Sequence, residues 1–331
     1  MNYRIPNFED TFSFQNLFHA WITFSKGKRR KVDVAEFAAR LVDNLRGLER
    51  DILGGKYKHG GYAHFKISDP KPRDIHKASV RDRVAHHAIY EALYPYFERY
   101  FIYDSYSCRK KKGTHKALRR LAAFVGKEGA NGTKTVLALT CDIAKCFTSV
   151  NHAILIKILE KHIGDKRLLA VIQEVINSFS GGVKGRGIPL GNLTSQLFIN
   201  LYLNELDQFI KRDLEIRRYI RYADDFVMLS RDPDILLEYL PKIADFLEER
   251  LRLTLHPKKI VFKTVSSGVD FLGWVHFTEH RVLRTKTKQR MEQRLFGKPK
   301  HATIASYAGL LIHGNAHKLR EAVRQKIQDD F

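Results

Sequence analysis

Residues 218–229 read RYIRYADDFVML, and two adjacent acids, Asp224 and Asp225, stand there between two runs rich in aromatic and β-branched residues. Such runs, interrupted by a short polar pair, predict a β-hairpin with the acids at its turn. Turn acids are ordinary, because Asp accepts hydrogen bonds from nearby backbone. Upstream, however, the apolar run KTVLALTCD ends on a third acid, Asp142, which opens the stretch DIAKCF. Taken singly, each acid reads as a turn residue or a strand-end cap. Taken together on neighbouring strands, the three carboxylates repel one another unless they are protonated or hold a cation. Hard oxygen ligands suit Mg²⁺, with Mn²⁺ as a substitute. Two such ions side by side can activate an attacking hydroxyl and stabilise a leaving phosphate.

The rest of the composition agrees with a phosphate-bearing partner. Lys and Arg outnumber Asp and Glu by 58 to 36, giving a net charge of +22, which points to nucleic acid. With 331 residues, 44% of them apolar, the chain can bury a substantial core. There is no apolar run of the roughly 18 residues needed to span a bilayer, and MNYRIPNFEDTF lacks a signal-peptide layout, so a cytoplasmic protein with no membrane partner is expected. Cys108, Cys141 and Cys146 form no CxxC pair and no zinc spacing, and are expected to be packing residues. His86, His87 and His115 have no matched ligand partner and are taken as structural.

Working outward, apolar residues from Asp33 to Leu53 recur at helical spacing, with Asp33 and Glu36 in a capping-box pattern and Gly54-Gly55 as a stop. YAHFKI and RDIH flank Ser68-Asp-Pro-Lys-Pro72, which predicts a hairpin with a basic tip. A helical pattern runs through VRDRVAHHAIYEALYPYFERYF, and a largely apolar helix is expected from Thr194 to Ile210, after the loop GVKGRGIPLGN. Beyond the 219–230 hairpin, the pattern predicts a helix over 233–251, strands over 253–263 and 269–277, and a basic helical tail. The order is α+β, with long-range pairing between a strand near 140 and the hairpin near 225.

YADD between two apolar strands, with DIAKCF some eighty residues earlier, resembles the palm of a reverse transcriptase. FKISDPKPRDI resembles the basic fingers hairpin of that family. VRDRVAHHAIYEALYPYFERYF and SYSCRKKKGTHKAL resemble the fingers region that follows, and GIPLGNLTSQLFINLYLNELD the motif facing template and nucleotide. LTLHPKKI and FLGW resemble the later palm motif and the primer grip. Ordered motifs at family spacing carry weight that an isolated YADD would not. Where most bacterial relatives, group II introns included, have Pro-Gln-Gly and then Ser-Pro, this chain reads Pro189-Leu-Gly-Asn-Leu-Thr-Ser-Gln196. With Leu190 and Gln196 at those places, the chain resembles reverse transcriptases of diversity-generating retroelements, which lack maturase or endonuclease domains.

The resemblance implies a right-hand polymerase fold, with fingers and palm over 1–277 and a short helical thumb over 278–331. It implies template RNA, primer or cDNA, and deoxynucleoside triphosphates as partners, and a small basic oligomeric accessory protein. It also implies error-prone copying of a template-repeat RNA, concentrated at template adenines, which is the basis of mutagenic retrohoming. By the same match Asp142 and Asp224 hold both metals, Asp225 supports them, and Ile143 lends its backbone carbonyl. Phe147 excludes a ribose 2′-hydroxyl. Lys66 and Arg73, seven residues apart at the hairpin tip, are expected to project toward one triphosphate, with Lys71 contributing. Leu190, Gly191 and Gln196 line the incoming base. Lys259 is the general acid for pyrophosphate, though Lys258 beside it leaves that assignment open. Phe271, Leu272 and Gly273 form the primer grip.

Arg109, Lys110, Lys111 and Lys112 on one basic run, and Arg284, Lys286 and Lys288 on another, are expected to track nucleic-acid phosphates. Two other readings stay open from sequence. One is a reverse transcriptase of a phage-defence, retron or intron-like element; the other is a non-catalytic RNA-binding scaffold on the same fold.

Overall fold

The computed structural model describes residues 4–68, 72–295 and 299–330, with side chains up to Gln325. Lys71, expected at the hairpin tip, lies outside the described residues. Along the chain the elements run α1 (Phe8–Phe12), α2 (Phe14–Ser25), α3 (Val32–Ala39), α4 (Leu41–Leu53), β1 (Tyr62–Ile67), β2 (Arg73–Ala78), α5 (Val80–Phe97) and α6 (Thr114–Glu128). They continue with β3 (Leu137–Asp142), α7 (Cys146–Ser149), α8 (His152–Glu160), α9 (Lys166–Asn177), α10 (Leu193–Gln208), β4 (Tyr219–Tyr222), β5 (Asp225–Ser230) and α11 (Pro233–Leu251). Last come β6 (Val261–Thr264), β7 (Val269–Phe271), β8 (Trp274–His276), β9 (Arg281–Leu283), α12 (Thr285–Leu295), α13 (His301–Leu311) and α14 (His317–Asp330). The chain forms two compact units that interleave in sequence: Met1–Tyr103, Ala144–Phe209 and Ala244–Thr254 in the first, Asp104–Ile143, Ile210–Ile243 and Leu255–Phe331 in the second.

In the first unit α5 is buried along most of its length, with Val84, Ala85, Ile89, Leu93 and Phe97 in the core. Burying each large apolar side chain contributes about 1.5–3 kcal/mol, so this helix is a principal source of the unit's stability. Its buried Asp82 is satisfied by the Tyr57 hydroxyl at 2.9 Å, Ser79 Oγ at 2.6 Å and the Gly60 amide at 3.1 Å. Asp33 does not cap a helix as its spacing predicts; it takes Lys77 Nζ at 2.9 Å and Arg83 Nη2 at 2.5 Å. Nor is 33–53 one helix. Arg40 leaves helical geometry at φ −127° and ψ 42°, and Asn44 Nδ2 donates to the freed Phe37 carbonyl at 2.9 Å, so the break is locally satisfied. The stop at Gly54 is where the sequence puts it.

The second unit is built on an antiparallel four-stranded sheet, order β4-β5-β3-β6. β3 takes the centre because its residues are apolar on both faces, which suits a strand flanked on each side. The pairing expected between a strand near 140 and the hairpin near 225 is the β3–β5 ladder, in which Asp142 stands directly across from Asp225. Leu118, Leu121 and Phe124 of α6 join Ile220, Val227, Trp274, Met291, Tyr307 and Leu311 in one core. The strand expected over 253–263 is shorter: Pro257–Lys259 is a 3-10 turn, since Pro257 has no N–H for a ladder, and only β6 follows. The strand expected over 269–277 is a hairpin, β7–β8, extended by β9 into a three-stranded sheet. The boundary placed at 277/278 from sequence therefore falls inside a sheet. Cys141 and Cys146 are packing residues as expected, whereas Cys108 is exposed. Among the described residues no helix is long and apolar enough to cross a membrane.

Candidate active site

The second unit gathers the acids. β3 ends on Asp142, which is 6% exposed, and the two-residue turn Ala223-Asp224 delivers Asp225 opposite it. Backbone bonds fix this arrangement: the Ile143 amide donates to the Asp224 carbonyl at 3.2 Å, and the His256 amide to the Asp142 carbonyl at 2.7 Å. Lys259 Nζ donates to Asp142 Oδ2 at 2.6 Å, so geometry separates the two lysines that sequence left ambiguous. Asp225 is exposed, yet protein atoms around it remove part of its solvation. That partial desolvation, then its hydrogen bond with Asp142, then the negative charges of Asp224 and Asp142, hold its carboxyl above the usual carboxylate range against the pull of Lys259. One ammonium, that of Lys259, thus stands against three carboxyl groups. The cluster's hard-oxygen donors fit a divalent cation, although among the described residues no three acidic, His or Cys side chains lie already grouped around one cation position.

One residue that the motif reading passed over braces this turn. Arg221 is 0% exposed; its Nη1 donates to the Ala223 carbonyl at 3.0 Å and its Nη2 to Ser105 Oγ at 3.3 Å. The segment before α6 is bonded to the same strand, through the Arg221 amide to the Asp104 carbonyl at 2.9 Å and the Tyr106 amide to the Arg221 carbonyl at 3.0 Å. Ala223 holds φ 54°, a left-handed conformation that costs an L-residue roughly 1–2 kcal/mol, and the guanidinium clamps its carbonyl there. The signal was present in RYIRY: an Arg in a strand otherwise fit for burial needs partners.

The residues expected to grip the primer form the β7–β8 turn, where Phe271 pairs with Trp274 across Leu272 at φ 52° and Gly273 at φ 85°. Two positive φ values make this a type I′ turn, the twist a tight hairpin needs, and explain the Gly. The Arg284 amide donates to the Gly273 carbonyl at 3.0 Å, and the Arg284 side chain pairs with Asp270 at 2.7 Å. Arg284, expected to track phosphates, is thus ion-paired to Asp270 while its side chain stays partly exposed. Lys286 and Lys288 are exposed, Lys288 lying 3.7 Å from Glu292. In the other basic run Lys110 and Lys111 are exposed, whereas Arg109 is buried and donates to the Ser105 carbonyl at 2.8 Å, and Lys112 Nζ lies 5.0 Å over the Tyr106 ring. The run is in part structural.

The first unit gathers the nucleotide-facing candidates. Register pairs Lys66 with Asp74 and Ile67 with Arg73. Directly opposed residues share a face and neighbours alternate, so Lys66 and Arg73 leave the ribbon on opposite faces, both exposed. Spacing of seven did not reveal this, because the face depends on where the turn closes. The loop carrying Leu190 is strapped to β2: the His76 amide donates to the Leu190 carbonyl at 2.9 Å, and buried Asn192 donates to the His76 carbonyl at 2.7 Å. Gly191 is required there, at φ 108°, since a Cβ would meet Ile75 Cγ2 at 2.8 Å. The Ile188 amide donates to the Phe147 carbonyl at 2.8 Å, tying half-buried Phe147 to the same loop, and Gln196 is exposed on the first turn of α10.

An antiparallel sheet that presents acids from a central strand and an adjoining hairpin turn defines the palm of a nucleic-acid polymerase. A family profile described as Reverse transcriptase (RNA-dependent DNA polymerase) matches residues 66–276. The chain belongs to the reverse transcriptase family of RNA-dependent DNA polymerases. Protein YkfC of Escherichia coli K12 is 26% identical over 289 residues, 76% of this chain and 74% of that protein. The group II intron-encoded protein LtrA of Lactococcus lactis is 23% identical over 333 residues, and the match spans 80% of this chain but about half, 52%, of LtrA. Apo telomerase from Candida tropicalis shares the right-hand fold with a TM-score of 0.55 at 12% identity, over 78% of this chain and 53% of that one.

Proposed function

We propose that this chain makes cDNA from the template-repeat RNA of a diversity-generating retroelement, with errors concentrated at template adenines. The observation that carries the reading is the Leu190-to-Gln196 segment: a loop bonded to the fingers hairpin, ending on a helix turn whose exposed residue is an amide. An amide there offers hydrogen bonds that do not depend on correct pairing, whereas an apolar ring offers none, and this supports low fidelity.

In the proposed reaction a primer 3′-hydroxyl attacks the α-phosphate of a deoxynucleoside triphosphate in line and pyrophosphate leaves. Asp142 and Asp224 would hold two divalent cations, Mg²⁺ in the first instance and Mn²⁺ as a substitute, with Asp225 and the Ile143 carbonyl beside them. When bound, these ions neutralise charge on the attacking and leaving oxygens. Phe147 excludes a ribose 2′-hydroxyl by bulk. Lys66 and Arg73 supply positive charge for the triphosphate from opposite faces of the hairpin, so one of them faces it and the other acts through its field. Lys259 is the proton donor to pyrophosphate, since its ammonium is the one that reaches the acid cluster. Phe271-Leu272-Gly273 supports the primer end, and a small basic oligomeric protein is the accessory partner.

The likeness to LtrA favours a second reading, a reverse transcriptase of a group II intron-like element. Extension of a primed RNA with deoxynucleotides, followed by cDNA sequencing, separates the two. The retroelement reading expects misincorporation clustered opposite adenines; errors spread evenly over the four template bases would remove it and leave the polymerase.

A further inference from the structure

Two histidines that the proposed reaction does not use lie face to face in the second unit. His115, on the first turn of α6, and His313, just beyond α13, stack with ring centroids 3.6 Å apart and planes 25° apart. Arg281 on β9 donates from Nε to the His313 carbonyl and lies 5.8 Å over the Trp274 ring, which fixes its guanidinium beside the pair. The charged groups that bear on His313 come from two elements: His115 and Arg119 from α6, and Arg281 from β9. All are basic, and α6 carries no acid in its first turn. Burial and these neighbours hold His313 below the usual histidine range, and burial and Arg119 likewise lower Arg281. His115 and Arg119 are exposed and His313 half-buried, so an anion can reach them.

The His313 imidazole, stacked on a second ring beside two guanidinium groups, cannot ionise cheaply unless an anion is shared among them. We propose that His115, Arg119, Arg281 and His313 form a phosphate-binding site whose occupant is a phosphodiester of the bound nucleic-acid strand, held more tightly as His313 protonates. This rests on the nucleic-acid substrate of the proposed function and assigns that substrate a contact outside the acid cluster. A phosphodiester fits better than a nucleotide, because the site offers four donors for one phosphate group and lies in the same unit as the exposed lysines Lys110 and Lys111, which would take neighbouring phosphates of a continuous strand.

The test is fluorescence anisotropy of a labelled primer–template duplex with the full chain, across salt concentrations at pH 8.0 and pH 6.0. The wild type is compared with a His115→Gln/His313→Gln variant, which keeps amide hydrogen bonding and cannot ionise, and with Arg119→Gln on the exposed face of α6. Between pH 8.0 and 6.0 the wild type should gain about three- to tenfold more affinity than the double variant, since a unit of pKa shift on one imidazole is tenfold in binding. Its salt slope at pH 6.0 should exceed that of the double variant by about one. Arg119→Gln should weaken binding at both pH values. Equal pH gains and equal slopes in wild type and double variant would overturn the proposal. Primer extension run in parallel keeps the readings apart: pH-linked binding without any cDNA would sink the polymerase reading and leave this site standing.

Discussion

Two tight turns of the second unit set the same backbone problem and solve it differently. At 222–225 and 271–274 a two-residue link closes an antiparallel pair, and each link forces an ordinary L-residue, Ala223 or Leu272, to positive φ. The β7–β8 turn follows it with Gly273, and half-buried Leu272 packs against the core. The acid-bearing turn has no glycine. Asp224 occupies the place a flexible residue would take, and the buried guanidinium of Arg221 holds Ala223 from beneath. A turn meant to support a strand end can rely on glycine's freedom, whereas one that must place a carboxylate needs a side chain there and a brace elsewhere.

That contrast can be broken at several points, in falling order of effect. Asp224→Asn keeps the shape of the turn and removes its charge; cDNA synthesis should fall by at least about a thousandfold, as losses of electrostatic catalysis do, with RNA binding retained. Steady-state extension and filter binding on the same preparation check this, and an active variant would defeat the role of the acid cluster. Arg221→Met removes the brace and leaves the Ala223 carbonyl and Ser105 without their donor. About 3 kcal/mol of stability should be lost in denaturant unfolding, with activity falling even where the variant stays folded.

Acid should separate the two turns by a different route. His276, on β8, is 1% exposed with Nε2 unsatisfied among the described residues, and burial pushes its pKa down to about 4. Its folded value lies below the unfolded one, near 6.5, so the unfolded state takes up the proton first. Stability is complete above pH 6.5 and is lost as pH falls toward 4, by about 2 kcal/mol at pH 5. Hydrogen exchange at pH 5 should open the β7–β9 sheet before β3–β5; simultaneous opening would show that His276 does not set the order. Gly273→Ala should cost about 1–2 kcal/mol because φ 85° penalises any Cβ. The mildest change, Ala223→Gly, should raise stability by up to about 1 kcal/mol while slowing synthesis, since relief of strain also loosens Asp224. A faster enzyme would show that the strain has no part in positioning.

Much of this was written in the chain where the physics is local. Alternating apolar residues around YADD specify two strands and a turn, and the apolar run ending on Asp142 specifies a strand near 140 that pairs with that hairpin, while the register that sets Asp142 across from Asp225 came with the fold. The bounds of α11 and the stop at Gly54 were equally local. Less legible were features that depend on register or on distant partners. The helix break at Arg40 is set by Asn44 reaching back to Phe37, and the opposed faces of Lys66 and Arg73 by where the 62–78 hairpin closes.

The sequence by itself determined the palm, the identity of its acids and the Leu190-to-Gln196 variant, because these rest on side-chain chemistry and short periodicities. Only the tertiary structure decided that Lys259 reaches Asp142 while its neighbour Lys258 is not so placed, that Arg221 braces the acid turn, and that Arg109 and Arg284 serve the protein's own carbonyl and carboxylate groups. It likewise brought His115 and His313, far apart in the chain, into contact. The physical reason is common to all four: a charged side chain takes its role from the dielectric and the partners around it, and those are assembled by folding.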